Sequence, residues 1–437
     1  MPAFIFELND AEVRVGHGGK IIARSPGYAV VRDEGVFLGA AAQRLAHLHP
    51  RQTFNRFWTS LNQDALALPA RQFRHHADLA HAHLMALHEQ AGKPAEAVLA
   101  VPGGFSSNQL SLLLGVAQSC PFTTVGLVDS AVAAAAATGP GSYLHVDLRL
   151  HQTILTHIDI GDRVIRGAVE TIDDGGLAGI WDTATAFIAD LFVQHCRFDP
   201  MRHAETEQAL YDKLPLCFQA LSSRQETPLE IQFRNTGHQI KLTRPALLAH
   251  LDAHYQATQA RFPAGRIPLL GDRIAALPGF AARLPQARVL DATSVLQGCE
   301  RNLAAILSSP PNLNYVTRLP LSDAALLNAP DTAVTAPATS GRTVTHVLSG
   351  HSAWPLREQA IYLSTSGDVS GVRQGASACA VALNNHSVVM TPLTDISSYL
   401  NGARLTGKQT LVAGDKVSFA GADTVYTFIS ITDPHGA

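Results

Sequence analysis

"YLHVDLRLHQTILTHIDI", residues 143–160, sets the fold. It opens as an apolar strand, reaches an acid at Asp147, turns, and returns as a second strand of alternating pattern, which is the signature of a hairpin. Val146, Leu148, Ile154, Leu155, Ile158 and Ile160 supply apolar side chains for burial. Hairpins of this layout often cradle a phosphate, but only when glycines let the backbone approach it. Here the turn carries Arg149, Leu150, His151 and Gln152. The hairpin is present and the glycines are not.

Around it, strand and helix patterns alternate. "AFIFEL", "AEVRV", "GKIIAR" and "YAVVR" open the chain as short strands, and a helical region is predicted from about Gly39 to Gln90. "AEAVLAVPGGFS" reads as a buried strand entering a loop, and "SSNQLSLLLGVAQSC" as a helix with a serine N-cap. A strand "TTVGLVDS", a short helix "SAVAAAAATG", the opening hairpin and a strand "RVIRGAVET" follow. Helices are predicted from about Gly179 to Cys196, over 204–223 and over 245–262, with a hairpin over 228–243. "GRIPLLG" reads as a strand, and "ALPGFAARLP" as the start of a helix. The pattern predicts an α/β fold of two similar halves, each opened by a hairpin. Residues 328–345, "NAPDTAVTAPATSGRTVT", read as a linker between a domain of residues 1–327 and a small all-β domain of residues 346–437.

Composition bounds the function. The 437 residues are 46% apolar and 16% charged, which excludes a largely disordered chain. With 33 basic and 36 acidic residues the net charge is −3, so nothing in the balance pulls toward nucleic acid or acidic lipid. The five cysteines, Cys120, Cys196, Cys217, Cys299 and Cys379, are scattered and form no Cys-x-x-Cys pair, consistent with reduced thiols in the cytoplasm. "MPAFIFELND" lacks a secretory pattern, and Ala131–Ala137 is too short to span a bilayer. No nucleophile elbow, P-loop or dinucleotide fingerprint occurs. "RHHADLAHAHLMALH" (74–88) holds five histidines with no pair at i, i+4, so a solvated helix is expected there rather than a metal site.

In order along the chain, five segments resemble the actin-like ATPase superfamily, most closely the nucleotide-binding domain of DnaK-type heat-shock chaperones. They are "GVFLGAAAQRLAHLHPRQTFNRF" (35–57), "AVLAVPGGFSSNQ" (97–109), "VGLVDSAVAAAAATG" (125–139), "DDGGLAGIWDTATAFIADLFVQHCRFD" (173–199) and "IPLLGDRIAALPGF" (267–280). The resemblance implies an actin-like fold of two related lobes over roughly residues 1–310. It also implies where ATP with Mg would bind: beside Asp147, Gly175, Gly176 and Gly271, with Asp129 also of family-like identity.

Elsewhere the family's chemistry is replaced. Its first turn, Asp-Leu-Gly-Thr-Thr, is Glu7-Leu8-Asn9-Asp10-Ala11, with an added carboxylate where anions would sit. Its second, Asp-Leu-Gly-Gly-Gly-Thr, is Asp147-Leu148-Arg149-Leu150-His151-Gln152. The phosphate-reaching lysine falls near Trp58, the ribose-holding Glu and Lys near Pro215 and Phe218, and the adenosine-motif Gly-Gly becomes Gly271-Asp272. Hydrogen bonds to charged groups contribute about 1.5–3 kcal/mol each, so losing three or more removes roughly 5–9 kcal/mol. Micromolar affinity amounts to about 8 kcal/mol. The expectation is therefore a degenerate ATPase fold with no cofactor: a non-catalytic scaffold or adaptor with protein partners. One alternative is an active ATP-binding chaperone, with Arg149 or His151 supplying the phosphate contacts. Self-association is a further expectation, since actin relatives polymerise.

The last segment resembles a forkhead-associated (FHA) module, through "TDISSYLNGARLTGKQTLVAGDKVSFAG" (394–421), with its Asn-Gly turn and Leu-x-x-Gly-Asp-x-Val run. Such modules read phosphothreonine through arginine, serine, histidine and asparagine. Here Ser377, Arg373, Asn401 and Arg404 are the candidates, and Ala380 stands where histidine is expected. A phosphothreonine reader is the other alternative, and a β-sandwich that docks on protein is the favoured reading.

Overall fold

The opening hairpin forms as its alternation requires. In the computed structural model, Gly141–Leu148 pairs antiparallel with Gln152–Ile160, and Arg163–Asp173 continues the meander. All six of its predicted apolar residues are buried. The structure describes residues 3–33, 35–66, 73–308 and 313–321, and most of 344–429. The chain divides into two units, Met1–Pro330 and Asp331–Ala437. The predicted linker lies almost wholly outside the described residues.

The first unit contains two six-stranded sheets of matching connectivity. In one, Phe4–Glu7, Val13–His17 and Lys20–Ser25 form an antiparallel meander, and Glu96–Val101 and Thr123–Asp129 add in parallel beside the first strand. In the other, the meander that starts at Gly141–Leu148 is joined in parallel by Ile267–Leu270 and then Arg288–Val289. Strand, hairpin, hairpin, crossover, crossover is thus used twice in one chain. Tyr315–Val316 closes the first sheet and Arg318–Pro320 the second, so a short C-terminal segment serves both.

Between the sheets runs the alanine-rich helix Ser130–Ala135, every residue of it buried. Its small side chains are a packing requirement. The helix Ser294–Arg301 presses on it at Gly298, where a Cβ would lie 1.8 Å from the Ala133 carbonyl oxygen. Ile5 and Val98 of the first sheet and Tyr143, Ile158 and Leu269 of the second share this core. The second half adds helices Leu177–Cys196, Ala204–Ser223 and Arg244–Gln259, and the hairpin of Glu226–Phe233 with Thr236–Thr243. Among the described residues no helix is long and apolar enough to cross a membrane.

Three expectations change. Among the described residues of the region predicted helical over 39–90 there are a four-residue helix at Ala40–Gln43, a 3-10 turn at Pro50–Gln52, a strand Thr53–Phe54 that pairs with Ala29–Arg32, and a long helix at His76–Gln90. The histidine-rich helix is solvated on one face only, with His75, His76 and His81 partly exposed. His83 and His88 lie on its buried face with Leu79, Leu84 and Leu87, where His83 joins the Trp58 indole N–H (3.0 Å) to the Ser25 hydroxyl (2.7 Å). The segment after Gly271 makes only the helix Asp272–Ala275 and a 3-10 turn at Ala281–Arg283, because Pro278 and Gly279, the latter at φ 75°, interrupt it.

The second unit, described by itself, is an antiparallel two-sheet structure with six strands in one sheet and five in the other. Val347, Leu363, Cys379, Met390, Val417, Tyr426 and Phe428 fill the space between them.

Candidate functional site

The two hairpin tips meet, Asp10 of the first lying against Arg149 and Leu150 of the second. Asp10, with no exposed surface, accepts from the Arg149 Nε (3.1 Å) and the Leu150 backbone N–H (3.0 Å) through one oxygen, and from the Thr59 hydroxyl (2.8 Å) through the other. Beside it, Asn9 Nδ2 donates to Asp147 Oδ1 (2.9 Å) and to the Leu148 carbonyl (3.0 Å). Burial alone would raise the Asp10 carboxyl. The Arg149 charge and the donors from Leu150 and Thr59 outweigh burial and hold it below its ordinary value. Asp10 was expected to present a bare charge that repels anions. It is instead paired within the chain, with Arg149, Leu150 and Thr59.

Arg149 and His151, the candidates for replacement phosphate contacts, are engaged within the protein. Arg149 is 2% exposed and its guanidinium lies 5.4 Å from the centre of the Phe105 ring. The ring Nε2 of His151 lies 3.0 Å from the Asn55 carbonyl oxygen. Burial, seconded by the Arg56 charge, lowers the His151 pKa and favours the neutral ring.

Below the tips lies a network of acids and arginines that crosses between the halves. Arg273 donates to Glu7 Oε1 (2.7 Å) and to the Glu12 carbonyl (2.7 Å). Arg14 grips both oxygens of Asp272 (3.0 and 2.6 Å), bonds the Ala292 carbonyl (2.9 Å) and pairs with Glu12 (2.7 Å). Burial raises the Glu7 and Asp147 carboxyls, and in both cases Arg273 is the largest opposing influence. Asp272 is depressed, because its bonds to Arg14 and the charge of Arg273 overcome burial. Each hairpin therefore carries a buried acid at or next to the end of its first strand, and one guanidinium offsets the charge of both.

The glycines singled out in the sequence serve the backbone. A Cβ on Gly176 would lie 2.4 Å from the Gln152 nitrogen and the His151 carbonyl carbon, so only glycine fits against the second tip. The helix that follows directs the N–H groups of Leu177 and Ala178 onto the Arg149 and Leu150 carbonyls (2.9 and 2.8 Å). Gly175 packs on Ile172. The Gly271 N–H bonds the Val146 carbonyl (3.0 Å), and a Cβ there would come within 3.7 Å of Asp147 Oδ1. Asp147 and Gly271 thus adjoin one another, while Gly175 and Gly176 abut the second tip. Asp129 caps the alanine helix and receives Arg166 (2.9 Å) and the Tyr315 hydroxyl (3.0 Å).

A cleft of about 660 Å3 remains between the halves, with Arg24 and Gln43 on one wall and Trp181, Pro215, Phe218 and Leu277 on the other. Trp58 takes no part, being packed in the first-half core. Next to this cleft the halves are fastened. Gln208 accepts from the His47 N–H (2.8 Å) and donates to the Gln43 carbonyl (3.0 Å). His47 contacts Glu207 (2.8 Å) and stacks on Tyr211 at 3.7 Å between ring centres. Among the described residues no cluster of three or more His, Cys, Asp or Glu side chains is arranged to hold a metal ion.

In the second unit, two of the four candidates are used internally. Ser377 is buried and accepts from the Gln374 N–H (2.9 Å). Asn401, at φ 52°, donates to Asp415 Oδ1 (2.8 Å) and accepts from the Lys416 N–H (2.9 Å). Arg373 and Arg404 are exposed.

Arg14, Thr59 and Arg273 were not foreseen. The available signal was the surplus of acids at Glu7, Asp10 and Asp147, because buried carboxylates require partners. No protein-family model matches the chain, and no curated protein matches it.

Proposed function

We propose that residues 1–327 form an actin-like ATPase-type domain that has exchanged its nucleotide for its own side chains, and that the chain is a non-catalytic scaffold or adaptor for protein partners. The observation that carries this reading is the clip of Asp10 by Arg149, Leu150 and Thr59. It sets a side-chain carboxylate and a bulky guanidinium where the resemblance puts phosphate. Two further features support it. The sheets repeat one connectivity, as a two-lobed fold of this type requires. Arg273 also supplies positive charge beside Glu7 and Asp147, as a bound metal ion would. Displacing Asp10 would break a buried charge pair, a cost of about 3–5 kcal/mol before any contact to a phosphate forms.

The remaining cleft and the C-terminal unit are then two surfaces for partners. The FHA resemblance fits the second unit's two antiparallel sheets. Because Ser377 and Asn401 are internally bonded, that unit meets protein without a phosphate requirement. Isothermal titration of the full chain with ATP and magnesium tests the first claim: no binding is expected, and a dissociation constant below about 10 μM, or roughly 7 kcal/mol, overturns it. Fluorescence anisotropy with matched phosphothreonine and threonine peptides tests the second, and selective binding of the phosphorylated set would reverse it.

A further inference from the structure

Where the two sheets approach each other below the hairpin tips, Glu7, His145 and Arg273 line one small chamber, with Asp147, Ser130 and Ser294 among its other walls. The space in which the centre of a water molecule can move there is about 20 Å3. Three buried atoms of these residues have no hydrogen-bond partner among the described residues: Glu7 Oε2, His145 Nδ1 and Arg273 Nε. Glu7 and His145 are each 4% exposed. The other polar atoms of Arg273 and Glu7 are bonded, since Arg273 Nη1 donates to Glu7 Oε1 and Nη2 to the Glu12 carbonyl.

The geometry points to a dedicated site for one buried water molecule, bonded to Glu7 Oε2, His145 Nδ1 and the Arg273 Nε–H. The donor and acceptor count selects the occupant. Glu7 Oε2 accepts, the Arg273 Nε–H donates and the neutral His145 Nδ1 can do either, and one water, which both donates and accepts, answers all three. Burial lowers the His145 pKa to about 4, so the ring is neutral, and a water answers either tautomer by donating to a bare Nδ1 or accepting from an Nδ1–H. A cation would face the donor N–H of a guanidinium, and an anion would face Glu7, Asp147 and Asp272 at the same chamber. Buried polar atoms left unmatched cost about 1–3 kcal/mol each, and water needs only about 10–15 Å3 with two to four polar partners. Because Glu7 ends a strand of the first sheet, His145 lies in the second, and Arg273 follows Gly271, this water would pin the two halves at their base. The site stands independently of the nucleotide question.

A crystal structure of the full chain at about 1.5 Å or better, with a parallel soak in rubidium or thallous salt, provides the test. One ordered solvent peak within about 2.6–3.2 Å of all three atoms, without anomalous signal after the soak, is the expected result. A chamber without density, side chains that pair directly with one another, or an anomalous peak at that position would each overturn the assignment. His145→Phe should expel the peak while the far-UV circular dichroism spectrum stays unchanged. Persistence of the peak in that variant would also count against it, and if the variant does not fold, the wild-type density decides alone.

Discussion

Asp10 and Arg149, separated by 139 positions in the chain, form a fully buried pair at 3.1 Å that joins one hairpin tip to the other. Removing one partner leaves the other charged and desolvated. Asp10→Ala and Arg149→Ala should each destabilise the chain by about 3–5 kcal/mol. The double variant should lose clearly less than the sum, because neither orphan remains. Denaturant unfolding of the four proteins measures this coupling.

The glycine at the second tip makes a sharper steric case. Gly176→Ala drives a Cβ into backbone at 2.4 Å and should cost at least about 1–3 kcal/mol. Gly175→Ala meets a side-chain methyl at 2.8 Å, which can shift, and should cost less. The order of the two thermal midpoints checks the claim.

Acid sensitivity has a defined window. Burial holds His83 and His145 near 4, whereas both titrate near 6.5 in an unfolded chain. Between those values the unfolded state binds more protons, so stability falls as pH drops, by roughly 1.4 kcal/mol per pH unit for each ring. Asp10 acts in a lower range: its depressed carboxyl stabilises the fold above the ordinary aspartate value, and that contribution is lost as pH falls through its folded pKa. Glu7 and Asp147, whose folded carboxyls are raised, act in the opposite sense, so the check is a comparison: the fall in unfolding free energy from pH 7 to 5 should be shallower in His83→Gln than in the parent chain.

The fastening beside the cleft should open locally. Gln208→Ala removes the acceptor for the His47 N–H and the donor to the Gln43 carbonyl. Amide exchange at His47 should quicken roughly tenfold, the equivalent of about 1.4 kcal/mol, with little change in the global midpoint.

At Asn401 two effects separate. Asn401→Gly keeps the left-handed backbone but drops the bonds to Asp415 and Lys416, whereas Asn401→Ala loses both. The alanine variant should be less stable by about 1 kcal/mol. Calorimetry on the full chain compares them.

The sequence disclosed the architecture where periodicity and punctuation agreed. Alternation in 143–160 marked the hairpin, and the serine N-cap expected for "SSNQLSLLLGVAQSC" is Ser106, which the structure completes as a capping box with Gln109. Periodicity failed in 39–90, where alanine and histidine suit either surface or core, and where burial of His83 beside Trp58 depends on a partner 25 residues away. The site was half legible. The missing glycines were visible, but not that Asp10 would bind Arg149. Nor could local pattern show that Arg273 would reach Glu7, because those side chains meet only after both sheets have formed.

A tethered occupant behaves differently from a dissolved one. Held by its own turn, the Asp10 carboxylate faces Arg149 at an effective concentration of at least the order of millimolar, which no dilution or metabolic fluctuation changes. The link between the two hairpin tips is therefore carried by the chain itself and does not vary with protein concentration.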